Sequence, residues 1–197
     1  LGVMDRYGTD AFRFTLAALA AQGRDIRLSE ERVEGYRNFA NKIWNAARFV
    51  LANLEGYDPK LAREAPPSLP DRWIRSRLFC AENATRKALA TYRFNDAAGA
   101  VYQFLWHEFC DWYVECAKLT LYRGEGPAAR ARAQKTLSEV LEATLRLLHP
   151  FMPFITEEIW QRLPKGLNHG RSAPSIMVAK FPRPARREFD PEAEAEM

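Results

Sequence analysis

The sequence is short of the residues that hold metals or cross-link small folds. Its three cysteines, Cys80, Cys110 and Cys116, show no CxxC spacing, which argues against a zinc site or a disulfide framework. Unbridged cysteines of this kind suit a reducing, cytoplasmic setting. Its three histidines, His107, His149 and His169, stand far apart, and no HExxH is present. Neither GxxxxGK[ST] nor GxGxxG occurs, so no loop is built to cradle a nucleotide phosphate. No apolar run is long enough to span a bilayer, so no membrane partner is expected. The start, LGVMDRYGTD, lacks both an initiator Met and a basic leader before an apolar core, so it reads as a piece of a longer polypeptide.

What is present suits a packed helical domain. The 197 residues are 47% hydrophobic and 27% charged, enough to bury a core without staples. Acids concentrate at the end: residues 188–197 hold five and no base. Over residues 1–187 the 29 bases face 20 acids, an excess that can attract a polyanion.

Hydrophobic periodicity and breakers predict helices almost throughout. Thr9 or Asp10 opens one to about Gln22. Ser29 caps a long one to about Leu54. Asp71 opens one to about Tyr92, and Asn95 or Asp96 one to about Leu121. Pro127 starts one to about His149, and a short one covers Thr156 to Leu163. The aromatic stretch from Tyr102 to Tyr113 reads as central and buried, with His107 a core residue. Asp111 and Glu115 are expected to hold nearby Lys or Arg. Short connections imply antiparallel neighbours. The expected fold is mainly α: an up-and-down helical bundle of about five helices over residues 29–170. A short segment, 1–28, precedes it. A C-terminal segment, 171–197, follows, with a β-like run from Ser175 to Phe181 and an acidic tail expected to be disordered.

The helix from Ser29 to Leu54 carries the functional signal. At 100° per residue, Tyr36, Phe39, Ile43, Ala47, Val50 and Leu54 share the core face. Asn38, Lys42, Asn45 and Phe49 form a second ridge pointing away from it. Arg37, Asn41, Trp44 and Arg48 flank this ridge. Unstacked RNA bases need a flat platform, and their edges need donors and acceptors. Phe49 supplies the platform, the Asn amides supply both hydrogen-bonding roles, and Lys42 suits a phosphate or a base oxygen. Extending the face to the helix start reaches Glu31, where a cation would serve RNA better; Arg32 stands one residue out of phase. The competing readings are solvated amides over a packed Phe49, and a helical protein-interaction scaffold.

The run Gly35-Tyr36-Arg37-Asn38-Phe39-Ala40-Asn41-Lys42-Ile43-Trp44-Asn45-Ala46-Ala47-Arg48-Phe49-Val50 resembles the first anticodon-domain helix of the valyl-tRNA synthetase family. Tyr7 to Phe14 resembles the segment shortly after the KMSKS loop of class Ia synthetases, and Gly23-Arg24-Asp25-Ile26 is similar to the valyl type. Glu108 to Tyr113 resembles the family's central helix, and His149 to Trp160 a signature shared with the isoleucine and leucine enzymes. The resemblance spans residues 1 to about 182. It implies an enzyme that joins valine to its tRNA using ATP and magnesium and edits mischarged threonine elsewhere. This sequence carries neither HIGH nor KMSKS and no editing domain or coiled-coil arm, so no catalytic residue and no cofactor is expected in it. The implied partners are the valine tRNA, through its anticodon loop, and the catalytic and editing domains of the same polypeptide. Residues 1–28 would face the inner corner of the L-shaped tRNA. Lys42, Asn45 and Phe49 match positions that meet the last two anticodon letters, A and C. An isoleucine-type domain is the nearest alternative.

Overall fold

A computed structural model describes residues 2–23, 25, 27–124, 126–164 and 173–197. Arg24 and Ile26 of the Gly23–Ile26 link, His169 and the expected boundary at 170/171 lie outside the described residues. The α-helices are α1 (Gly2–Tyr7), α2 (Thr9–Leu19), α3 (Glu30–Asn53), α4 (Leu69–Ala90), α5 (Phe94–Gln103), α6 (Val114–Tyr122), α7 (Pro127–Leu148), α8 (Pro153–Arg162) and α9 (Pro191–Glu196). A π-helical segment, Phe104–Tyr113, joins α5 to α6 without a break. Among the described residues of 29–170 this makes five continuous helical rods, α3, α4, α5 through the π segment to α6, α7 and α8, while α1, α2 and α9 lie outside that range. No described helix is long and apolar enough to cross a membrane.

Local chemistry explains where the helices start. Ser29 is extended and its side chain accepts from the Arg32 N–H, with Glu30 and Glu31 in the first turn of α3. Asp71 does not cap α4 as expected. Ser68 does, and Asp71 sits three residues on, closing a capping box with Pro70 in the first turn. Thr9 and Asp10 do not cap α2, and neither Asn95 nor Asp96 caps α5; Gly8 and Arg93 precede those helices without a side-chain cap. Pro127 opens α7 behind Gly126, whose φ of 96° suits only glycine.

The core unites all the long helices. Phe39, Ile43, Ala47 and Val50 of α3 are fully buried, as are Leu137, Leu141 and Leu145 of α7. Phe14 of α2 is 1% exposed and joins an aromatic cluster, its ring centroid 4.7 Å from Tyr36 and 5.3 Å from Phe39. The segment before α3 thus shares the bundle's core. Within the π segment, i→i+5 bonding widens the turn, so Phe104, Phe109 and Tyr113 share the inward side. The same geometry turns other residues out: Trp112 is 61% exposed. His107 is exposed too, beside Asp111, and is not the core residue expected.

The C-terminal segment corrects two expectations. Among the described residues there is no strand; Ile176–Val178 is one 3-10 turn. A strand needs a sheet edge to take its backbone groups. Here the Glu157 carboxylate accepts from the Ile176 N–H at 3.1 Å, and Ser175 Oγ accepts from the Met177 N–H at 3.1 Å. The acidic tail is helix, not coil. Asp190 caps α9 and Pro191 opens it. The helix lies on α4, with Arg72 forked on Asp190 at 2.7 and 3.0 Å and Arg77 Nη1 3.1 Å from Glu194. Ala193 is fully buried beneath it.

Candidate nucleic-acid interface

α3 packs one face into the core and leaves a polar ridge outside, as its periodicity requires. Asn38, Asn41, Asn45, Arg48 and Arg32 are exposed. Lys42, Phe49, Arg37 and Trp44 are half-buried. Asn38, Lys42, Asn45 and Phe49 thus line one side of the helix, but they do not stand alone in solvent. The π segment runs alongside and supplies partners.

Lys42 is the clearest case. Its ammonium pairs with Asp111, and it lies over the Trp106 ring, 4.1 Å from the centroid. Trp106 is itself stacked on Phe39 and Tyr102, with centroids 5.9 and 5.6 Å away. The aromatic stack therefore fixes the height of Lys42 above the core. A partly exposed ion pair contributes about 0–1 kcal/mol and an exposed cation–π contact about 0.5–1 kcal/mol. Lys42 is therefore held only weakly in place. The pairing of Asp111 with Lys42, and of Glu115 with Lys118 at 2.6 Å, agrees with the expected role of those two acids.

Phe49 has one face on the core and one ring surface toward Lys118, whose ammonium is 5.5 Å from its centroid. Arg37 is 3.4 Å from Glu34 and 5.7 Å from the Tyr7 ring of α1. Trp44 carries Arg162 of α8 5.0 Å from its ring. The helix around Trp106–Trp112 was expected to supply the surface beside the ridge, and Trp106 lies there; Lys118 and Arg162 were not singled out in the sequence. Only the packing of the π segment, α6 and α8 against α3 brings them there, and no spacing rule connects residues that distant.

Other reactive groups are muted. Burial pushes the Cys110 thiol up to about 12, so it stays protonated at neutral pH. Burial lowers the proton affinity of His149, whose Nδ1 is 2.8 Å from Thr156 Oγ1. No group of three or more His, Cys, Asp or Glu among the described residues could hold a metal ion.

The family model described as the anticodon-binding domain of tRNA ligase matches residues 71–197. The chain belongs to that family. The match begins in α4, so the anticodon-binding domain model leaves α3 and its ridge outside. Whole-chain relatives cover that part. The domain is 60% identical to Valine–tRNA ligase of Geobacter sulfurreducens across 100% of this chain and 22% of the relative. It is 57% identical to Valine–tRNA ligase of Syntrophotalea carbinolica across 92% of this chain and 20% of the relative. The chain thus spans about a fifth of the length of the curated relatives it matches. Its fold is that of a segment of the Agrobacterium radiobacter K84 LeuRS, solved in a ternary complex with tRNA and LeuAMS. The TM-score is 0.66 at 20% identity, over 96% of this chain and 22% of that one.

Proposed function

We propose that this chain is the anticodon-binding domain of a valine–tRNA ligase and that the ridge of α3 reads the valine anticodon loop. The observation that carries the valine assignment is the 60% identity to a valine enzyme along the whole chain, α3 included. In this reading Phe49 offers its half-exposed ring to one splayed base. Asn45 and Lys42 take base edges or a phosphate oxygen. Asn38, Asn41, Arg32, Arg37 and Arg48 lie along the same helix to steer and hold the backbone. Lys42 leaves Asp111 when RNA arrives, and the low cost of that exchange favours reversible reading.

The parent polypeptide would be a cytoplasmic enzyme that joins valine to tRNA, with ATP and magnesium used in its catalytic part. In this reading the chain contributes recognition. Residues 1–28 would act as the connecting, stem-contact segment and 29–170 as the anticodon-binding bundle.

The test is binding to a valine anticodon stem-loop at two salt concentrations, with an A-to-G change at the middle anticodon letter. Salt-sensitive binding weakened by the base change is expected. Equal binding to both loops would reduce the ridge to a general RNA surface. Preference for an isoleucine anticodon loop would move the domain to that enzyme. Binding of neither loop at low salt would overturn the reading.

A further inference from the structure

A second basic feature lies apart from the α3 ridge. α4, α7 and residues 180–183 enclose an open cleft of about 660 Å³. Arg86 of α4, Arg146 of α7, Lys180 and Arg183 line it, and Glu82 is the acid among its described lining residues. The passing chain is tied down by the arginines. Arg86 Nη1 donates to the Pro182 carbonyl at 3.1 Å, and Arg146 Nη1 donates to the Lys180 carbonyl at 2.7 Å. These bonds hold Lys180 and Arg183 at the mouth, where both side chains are exposed.

The charges do not cancel. Arg146 is forked on Glu142, both contacts 2.8 Å, which leaves Arg86, Lys180 and Arg183 against Glu82. Each arginine carries five N–H donors, and one backbone carbonyl occupies a single donor of Arg86. A concave wall of low polarisability strengthens the field of such a set. The adjoining cleft shares Glu82, Arg146 and Arg183 with this one and adds Arg75 against Glu139, Glu142 and Glu188, so acids outnumber bases there. The excess of bases is therefore confined to the side lined by Arg86, Lys180 and Arg183, whose donors suit a tetrahedral oxyanion more than a planar apolar group.

We propose that this cleft is a phosphate-binding subsite, in which Arg86, Lys180 and Arg183 grip a phosphate group of an RNA backbone or of a free polyphosphate. The RNA source rests on the proposed anticodon-binding function; the phosphate chemistry does not.

The experiment compares the 197-residue chain with a Lys180→Ala/Arg183→Ala variant. Both replaced side chains are exposed, and an unchanged melting temperature verifies the fold. Two probes are titrated calorimetrically: inorganic pyrophosphate, and the valine anticodon stem-loop across a salt series. Saturable pyrophosphate binding that weakens at least tenfold in the variant supports the subsite. For an RNA source, the slope of log Kobs against log[salt] falls by about 1–2 in the variant, while discrimination between the A and G loops is unchanged. Pyrophosphate loss with an unaltered RNA slope identifies a free phosphate as the ligand. If the stem-loop fails to bind the wild type, the anticodon reading falls and the pyrophosphate titration alone decides the subsite. No pyrophosphate binding together with no change in RNA slope overturns the proposal.

Discussion

The phenolic oxygen of Tyr113 lies 2.6 Å from Oδ1 of Asp71, and both residues are buried. This contact ties the last residue of the π segment to the first turn of α4. Asp71 also accepts from Ser68 N and Oγ at 3.0 and 2.6 Å, and Arg132 of α7 lies 2.8 Å from its Oδ2. One carboxylate thus joins three helices. Burial and that carboxylate push the Tyr113 hydroxyl well above its usual range, so it remains a donor. Tyr113→Phe should lower stability by about 1.5–3 kcal/mol, the cost of a hydrogen bond to a charged group. Asp71→Ala should cost more, about 3–5 kcal/mol, because it removes one partner of the largely buried Asp71–Arg132 ion pair together with the Tyr113 and Ser68 bonds. Urea unfolding of the two variants checks the order; equal losses would show that Asp71 acts through Tyr113 alone.

Two positions on α3 separate recognition from packing. Ile43 is fully buried, and Ile43→Ala should cost about 2–5 kcal/mol of stability through a cavity. Phe49→Ala should weaken stem-loop binding by roughly tenfold to a hundredfold, the worth of one stacked base. Because Phe49 is half-buried against the core, a smaller stability loss accompanies it. A Phe49→Ala protein as unstable as the Ile43→Ala protein, with unchanged RNA affinity, would make Phe49 a core residue only.

α8 borrows its cap from another helix. Met152 precedes it without a side-chain cap. Asp10 of α2 accepts instead from the Phe154 and Ile155 N–H groups, at 3.2 and 2.7 Å. Asp10→Ala should remove about 0.5–2 kcal/mol of stability. Native-state hydrogen exchange should then show faster opening at Phe154 and Ile155 than in α4. Unchanged exchange there would assign the capping of α8 to solvent.

Glu82 sets a pH dependence. Burial raises its carboxyl to about 7, against the lowering effect of Arg146 and Arg86. Glu188 and Glu142 add to the rise. The folded state therefore holds a proton that the unfolded chain releases near pH 4.5. Stability from this group falls as pH rises from about 4.5 to about 7 and stays low above that range. Glu82→Gln removes the penalty. It should stabilise the protein at pH 8 by an amount of order 1–3 kcal/mol and change it little at pH 4.5. Denaturant midpoints at the two pH values check the sign. A variant destabilised equally at both would mean that Glu82 serves as a counter-ion instead.

The α-helical character and the two faces of α3 were legible because helical periodicity is local. Apolar residues at Phe39, Ile43, Ala47 and Val50 can share only one side of a helix, and all four are buried. Caps were less legible. Asp71 has the right residue type for a cap, but Ser68 takes that place, and the difference depends on where the chain enters α4. The β-like run failed because Ile176, Met177 and Val178 favour strands only where a partner strand exists. The acidic tail read as coil by charge, although Asp190-Pro191 is a helix start; its ordering depends on Arg72 and Arg77, which are distant in sequence.

The sequence by itself determined the helical class, the core stripe and polar ridge of α3, and the family to which the chain belongs. These rest on near-neighbour spacing and on residue identity. Tertiary structure decided the environments of Lys42, between Asp111 and Trp106, of Phe49, beneath Lys118, and of Asp10 of α2, at the start of α8. It also decided which residues of the π segment turn inward and where Arg86, Arg146, Lys180 and Arg183 converge. Such relations join residues tens of positions apart, and they follow from how whole helices pack rather than from any short stretch of sequence.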